Sequence, residues 1–352
     1  MRYLKSVAGL LSSTSALLRI VALAACLLAV PFSRESAAQE KPPTEKGAKT
    51  ASEKVGDVRW LKGYEDVVWS VAFSPDGSRA LSTGGLNQLC DVATDAQIRR
   101  FGVGGWFAVF SPKGDQVLTG EATAQAAILW DTNSGRKLGQ FPGGKGRVMY
   151  GAFSPDGKRI AMNSWDSVVV WDIATHDALA ILPAKFECLC GAVFSPDGKQ
   201  LLIAQEDKTI RAFGTADWLE TVKLPATQDL SCLAISSDGR TLLTATRDPT
   251  EYDVFVWDVA NGTLRQTFHG GTGKPGAAVV AFSPVGGRAL YASYDGMMIL
   301  WDVDAGKEIQ RWTQDAAIVS VAISPDGKHA LCGAVDKKAF MMRLPEPPLK
   351  TP

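Results

Sequence analysis

From Val58 onward the chain alternates between short apolar runs and clusters of turn residues. Val67-Val68-Trp69-Ser70-Val71-Ala72-Phe73 is typical, its β-branched and aromatic side chains favouring a pleated, packed strand. The run stops at Ser74-Pro75-Asp76-Gly77. Proline pre-sets φ for the first corner of a type I turn, aspartate hydrogen-bonds its own backbone, and glycine accepts the positive φ that comes next. A second strand, Arg79-Ala80-Leu81-Ser82-Thr83, begins at once. The pattern predicts tight antiparallel hairpins.

This signal recurs seven times: at Phe73-Ser74-Pro75-Asp76-Gly77, Phe110-Ser111-Pro112-Lys113-Gly114, Phe153-Ser154-Pro155-Asp156-Gly157, Phe194-Ser195-Pro196-Asp197-Gly198, Ile235-Ser236-Ser237-Asp238-Gly239, Phe282-Ser283-Pro284-Val285-Gly286 and Ile323-Ser324-Pro325-Asp326-Gly327. A period of roughly 40 residues containing several short apolar runs indicates one four-stranded unit per repeat. After the second strand come a polar loop and a third strand closing on an aromatic-acid pair: Trp130-Asp131, Trp171-Asp172, Trp257-Asp258, Trp301-Asp302.

Together the turns, the pairs and the period resemble WD40 repeats over residues 58–344. The resemblance implies an all-β fold, a seven-bladed β-propeller of four-stranded antiparallel blades around a central channel. Val58-Arg59-Trp60-Leu61 reads as an outermost strand with no blade before it, and the seventh repeat ends at Phe340-Met341-Met342-Arg343-Leu344 after three strands. The N-terminal strand is therefore expected to complete the last blade, leaving no open blade edge. Cys90-Asp91, Phe213-Gly214 and Met342-Arg343 replace the Trp-Asp pair in blades 1, 4 and 7. The family's buried hydrogen-bond network implies a histidine before the first strand, where Gly63-Tyr64 stands, and an aspartate after the second, which Asp207, Asp295 and Asp336 fit. With few such groups, blade rigidity is expected to rest mainly on apolar side chains. Asn133-Ser134-Gly135, Asn261-Gly262 and Asp304-Ala305-Gly306 are expected as turns between third and fourth strands. Asn261-Gly262-Thr263 is also a glycosylation sequon, and is read as a turn.

Residues 1–38 read as a signal peptide: Arg2, Lys5 and Arg19 precede the uncharged run 20–32, and Ser36-Ala37-Ala38 supplies small residues before Gln39. That run is shorter than the roughly 20 residues that span a bilayer. A retained anchor stays open as an alternative, as does acylation of Cys26, since Leu23-Ala24-Ala25-Cys26 resembles a lipoprotein box although the apolar run continues past the cysteine. The implied address is exported, periplasmic or extracellular at the cell surface, without a membrane span in the mature form. Residues 39–57, rich in Lys, Glu, Pro, Thr and Gly, read as a flexible linker, and the proline-rich residues 345–352 as a disordered tail.

Charge narrows the partners. The chain carries 37 basic and 37 acidic residues with no basic run, which lacks the electrostatic footprint of a nucleic-acid binder. Beyond the leader, Cys90, Cys188, Cys190, Cys232 and Cys332 read as small buried hydrophobes. A Cys190–Cys232 bridge between neighbouring repeats is the alternative.

A catalytic propeller needs metal or acid-base groups converging where the inner strands enter the channel. Among the residues opening those strands only Glu187 and Asp229 could ligate a metal, with no histidine or third oxygen ligand beside them, and they read as a solvated loop or a local salt bridge. Gly270-Gly271-Thr272-Gly273-Lys274 lacks Walker spacing, and no nucleophile triad is recognisable. The reading is a non-enzyme without cofactor or metal. Recognition is expected on the face where blade-to-blade loops and second-to-third-strand loops cluster. Tyr64, Trp69, Trp106, Trp165, Tyr252 and Tyr294, with Arg147 and Arg247, are the candidates, since Trp, Tyr and Arg dominate interface energetics. Trp69 and Trp106 have a second reading, as packing at the channel mouth. The segment Arg247-Asp248-Pro249-Thr250-Glu251-Tyr252-Asp253 lengthens its loop. These features converge on a monomeric, exported scaffold for a protein or peptide partner; the alternatives are a channel-centred hydrolase or lactonase, and a small-molecule or glycan-binding propeller.

Overall fold

The computed structural model describes residues 53–61, 63–121, 125–144, 146–184, 191–205, 207–226, 228–246, 253–270 and 278–348. These form seven four-stranded antiparallel sheets, each built from strands in sequence order except the last. The inner strands are Ser70–Phe73, Ala108–Phe110, Tyr150–Phe153, Ala192–Phe194, Leu230–Ile235, Ala278–Phe282 and Ile318–Ile323. They succeed one another round the ring in chain order, the last lying against the first. Side chains link adjacent blades there: the Val71 amide donates to Ser320 Oγ (2.9 Å), the Ala108 amide to Ser70 Oγ (3.4 Å), and the Ser231 hydroxyl to the Ala278 carbonyl.

The exception is the ring closure. Val58–Leu61 pairs antiparallel with Ala339–Arg343 in the register Val58↔Met342 to Leu61↔Ala339, so the first strand completes the seventh blade as expected. The contact starts earlier than the expected strand: the Gly56 amide donates to the Arg343 carbonyl (2.8 Å), and His329 Nε2 lies 2.9 Å from Glu53 Oε2. It also extends past Leu344. Arg288 Nη1 donates to the Pro345 carbonyl at 2.8 Å and Glu346 pairs with Lys328 at 3.4 Å, so residues 345–348 lie against the blades where the sequence suggests a loose tail.

The turn chemistry read from the sequence is realised locally. In the first turn the Gly77 amide donates to the Ser74 carbonyl (2.8 Å), the Ser78 amide to Asp76 Oδ1 (3.0 Å), and Gly77 sits at φ 72°. The Ser74 hydroxyl donates to Asp76 and its oxygen accepts the Arg79 amide (2.9 Å), tying the turn to the start of the second strand. Serine hydroxyls bond Asp156, Asp197, Asp238 and Asp326 in the same way. Lys113 cannot accept, and Ser111 turns instead to Asp115 (2.8 Å).

The aromatic-acid pairs do two jobs. Their indoles reach a hydroxyl two residues along from the cross-strand partner: Trp130 Nε1 donates to Thr119 Oγ1 (2.9 Å) and Trp257 Nε1 to Thr244 Oγ1 (3.0 Å). In blade 3 the equivalent place is Met162, and Trp171 Nε1 is buried without a hydrogen-bond partner among the described residues. The aspartates cap the next turn, Asp131 accepting from the Ser134 amide (2.6 Å), Asp172 from Thr175 (3.0 Å) and Asp302 from Ala305 (2.8 Å). Each of blades 1 to 6 carries a β-bulge beside this position, which adds local twist between third and outer strands.

Blades are sealed together by apolar packing. Outer-strand Phe101, Phe141 and Phe268 are buried against the tryptophan of the next blade: Trp130 at 6.0 Å, Trp171 at 5.9 Å and Trp301 at 4.5 Å between ring centroids. Cys90 and Cys332 are buried fillers, and burial pushes both thiols up from their ordinary pKa. Cys232 Sγ accepts the Val280 amide of the next blade at 3.2 Å; Cys188 and Cys190 lie outside the described residues.

Candidate functional site

Antiparallel alternation puts the inner-hairpin turns on one face of the ring and the blade-to-blade and second-to-third-strand loops on the other. On the loop face, blades 1 to 3 bring together three of the predicted residues. The Trp69 and Trp106 rings, each opening an inner strand, stand 5.2 Å apart at 50°. Arg147, opening the next inner strand, places its guanidinium carbon 5.6 Å from the Trp106 ring centroid. Each of the three is half-buried, so part of each side chain stays open to solvent. A cation over an indole face is attractive at about 0.5–2 kcal/mol and also fixes the ring.

Glycines put Trp106 in place. Gly104 and Gly105 press their backbones onto the neighbouring loops: a Cβ on Gly104 would collide with the Gly84 carbonyl, and one on Gly105 with the Gly120 carbonyl. The Gly104 amide donates to the Gly85 carbonyl (3.1 Å) and the Thr83 hydroxyl to the Gly105 carbonyl. The indole is thus held between blades 1 and 3. Its Nε1 is buried with no hydrogen-bond partner among the described residues, a donor that costs about 1–3 kcal/mol to leave unmet.

Trp165 continues the arc. It tips the second-to-third-strand loop of blade 3 and is the most exposed aromatic of the arc, at 59%. Its ring covers Gly146, next to Arg147, where an added Cβ would meet Trp165 Cγ at 3.0 Å and the backbone sits at φ 89°. Leu86 and Val103 stand on the same face as exposed apolar residues of blade 1 and the loop after it. Sequence reasoning passes over both because neither is aromatic. Their signal is position, since Leu86 tips a turn and Val103 comes just after an outer strand. Asn87 Nδ2 fixes Val103 by donating to its carbonyl at 2.8 Å.

Other candidates fall elsewhere. The Tyr64 hydroxyl is 2.7 Å from Ser82 Oγ and the residue packs against the buried cluster that includes Leu61, Val68, Val71 and Leu331. Burial raises its pKa, and the residue belongs to the interior of blade 1, taking up the serine that a Trp-Asp blade would offer to its indole. Tyr294 is half-buried in a turn of blade 6, separated from the arc by blade 7 on one side and blades 4 and 5 on the other. Arg247 and Tyr252 lie outside the described residues, as does Glu187. Asp229 forms an ion pair with Lys208 at 3.8 Å. Among the described residues no three His, Cys, Asp or Glu side chains gather into a set that would hold a metal.

Comparison with known proteins agrees with the propeller fold. The family model for the WD domain, G-beta repeat, matches residues 57–90, which span the closing strand and the first three strands of blade 1. Periodic tryptophan protein 2 of Arabidopsis thaliana is 24% identical over 233 residues, covering 65% of this chain and 25% of that protein. Autophagy-related protein 16 of the same plant is 23% identical, covering 62% and 44%. Small ribosomal subunit protein RACK1y of Oryza sativa is 35% identical over 83 residues, 24% of each chain. The chain thus spans less than half the length of each of these relatives.

Proposed function

We propose that this chain, a WD40-repeat propeller of seven blades, is a non-catalytic scaffold that docks a protein or peptide partner on the loop face of blades 1 to 3. WD-repeat proteins of this kind typically act as interaction platforms. One observation carries the reading for this particular chain. Trp69, Trp106, Arg147 and Trp165 form a contiguous, partly open aromatic-cation arc on rigid backbone, and Trp and Arg anchors in such settings supply most interface energy. Export belongs to the same proposal and rests on the charged, apolar and small-residue order of residues 1–38.

The test is capture. The full-length chain is immobilised and challenged with an extract of its own cell envelope, beside Trp106→Ala, Trp165→Ala and Ile181→Ala, the last an exposed apolar residue on the outer strand of blade 3. Retained protein should fall about 30-fold with either tryptophan change, as for the loss of a 2 kcal/mol hot spot, and hold with Ile181→Ala. Equal retention by all four chains overturns the assignment of the arc. Turnover of a substrate that is lost with Asp229→Ala would instead support the hydrolase reading.

A further inference from the structure

On the face opposite the arc, the inner-hairpin turns form a ring of their own. In five of the seven turns the proline leans on the glycine of the next blade's turn. A Cβ on Gly114 would stand 3.1 Å from Pro75 Cδ, one on Gly157 3.7 Å from Pro112, one on Gly198 3.8 Å from Pro155, one on Gly239 3.2 Å from Pro196 and one on Gly77 3.3 Å from Pro325. Each glycine supplies a flat seat without a side chain, and each proline a flat apolar edge without an N–H to leave unpaired.

Two blades depart from the series: in blade 6 Val285 rather than Pro284 meets the next glycine, Gly327, and in blade 5 the turn carries Ser237 in the proline's place. The seat on the next blade, Gly286, is filled all the same. Pro348 Cδ lies 3.0 Å and Pro347 Cβ 3.4 Å from where its Cβ would be. Those prolines arrive from beyond the last strand of blade 7, and polar anchors lead them in. Arg288, exposed by only 1%, donates from Nη1 to the Pro345 carbonyl (2.8 Å) and from Nη2 to the Gly327 carbonyl (2.6 Å). Glu346 pairs with Lys328 at 3.4 Å and with Arg343.

We infer that the seat over Gly286 is a prolyl-binding site, vacated by the change to Ser237 and occupied by this chain's own Pro347-Pro348. The occupant is prolyl for a physical reason. Consecutive prolines are extended before they dock, so little ordering entropy opposes them, and the anchoring uses backbone carbonyl and carboxylate groups that leave the pyrrolidine rings free for the seat. Residues 345–348 are then a strap across blades 7 and 6, distinct from the strand that closes the ring, and they lie on the face away from the aromatic arc.

Because Ser237 is exposed and all six sister turns carry proline at its position, Ser237→Pro is compatible with the fold and competes for the same seat. Full-length Pro347→Ala/Pro348→Ala, Ser237→Pro and the triple variant are compared by thermal unfolding, and the parent chain and Ser237→Pro also by the rate of carboxypeptidase trimming through residue 345. The double alanine variant should melt about 2–4 °C lower; trimming is compared only between chains that keep Pro347-Pro348, because proline itself slows carboxypeptidases. Ser237→Pro alone should speed trimming with little change in melting, and in the alanine background it should restore most of the lost melting temperature. An equal effect of Ser237→Pro on melting in both backgrounds, no response of melting to the loss of both prolines, or unchanged trimming of Ser237→Pro overturns the inference.

Discussion

Closure of the ring by Val58–Leu61 makes a quantitative prediction. This strand has no covalent neighbour in blade 7, and its hold comes from four register pairs with Ala339–Arg343 and from what its side chains bury. Alternation gives Leu61 and Trp60 opposite environments: Leu61 is 8% exposed in a cluster with Val68, Val71, Leu331 and Ala339, whereas Trp60 is 45% exposed and lies over Phe340 at 5.1 Å. Leu61→Ala removes buried methyl groups and leaves a cavity bounded by strands of blades 7 and 1. Buried leucines cost about 2–5 kcal/mol when truncated, and an outer strand that relaxes toward solvent belongs near the lower limit, about 2–3 kcal/mol. At about 2–4 °C per kcal/mol for a domain of this size, melting should fall about 4–12 °C. Near-UV circular dichroism through the transition measures it, with Ile98→Ala as control, an exposed residue on the outer strand of blade 1. A Leu61→Ala shift no larger than that of Ile98→Ala would refute the claim that the clasp carries structural load. Removal of Val58 to Leu61 altogether should then lower melting further than any single change.

Two other outcomes rest on hydrogen bonds within the blades. Thr244→Val keeps the volume but orphans the Trp257 indole, so it should cost about 1–3 kcal/mol by chemical denaturation, while Met162→Leu beside the already unpartnered Trp171 should cost less than about 1.5 kcal/mol. The hydroxyl of Ser74 and the amide and hydroxyl of Ser78 hold the Asp76 carboxyl down at about 2, and serine bonds likewise lower Asp156, Asp197 and Asp238. A carboxyl whose pKa is lower in the folded chain contributes stability above its unfolded value near 3.9, and that contribution drains away as pH falls toward 2. Melting temperature should therefore decline across that window, and the Asp76 midpoint, monitored by carboxyl NMR, should rise toward 3.9 in Ser74→Ala; an unmoved midpoint would detach the shift from the serine.

Much of the scaffold is legible because it is written in contiguous residues. A Ser-Pro-Asp-Gly turn makes its own hydrogen bonds within six residues, from Ser74 to Arg79, and a Trp-Asp pair caps the turn just after it. Seven such signals count the blades, and a spare first strand with a three-stranded last repeat implies the closure. The candidate face is legible only in outline. Tyr64 shares its loop with exposed neighbours, yet its ring turns inward because Ser82, on the second strand, offers a partner inside blade 1. Tyr294 occupies a loop of the same face, with blade 7 on one side and blades 4 and 5 on the other between it and the arc.

The sequence by itself thus determined the number of blades, the hand-over between hairpins and the meeting of first and last strands, since each derives from local turn chemistry and counting. Only the tertiary structure decided which side chains share a surface. Trp69, Trp106 and Arg147 are about 40 residues apart in succession, and they meet because Gly104 and Gly105 let one blade's loop lie flat on its neighbours. The same holds for Pro348 over Gly286: the missing proline at Ser237 is visible in the chain, but its replacement depends on where the strand of blade 7 ends and on the buried Arg288 that guides it. Contacts between blades depend on the rotation that packing imposes from one sheet to the next, which no single repeat encodes.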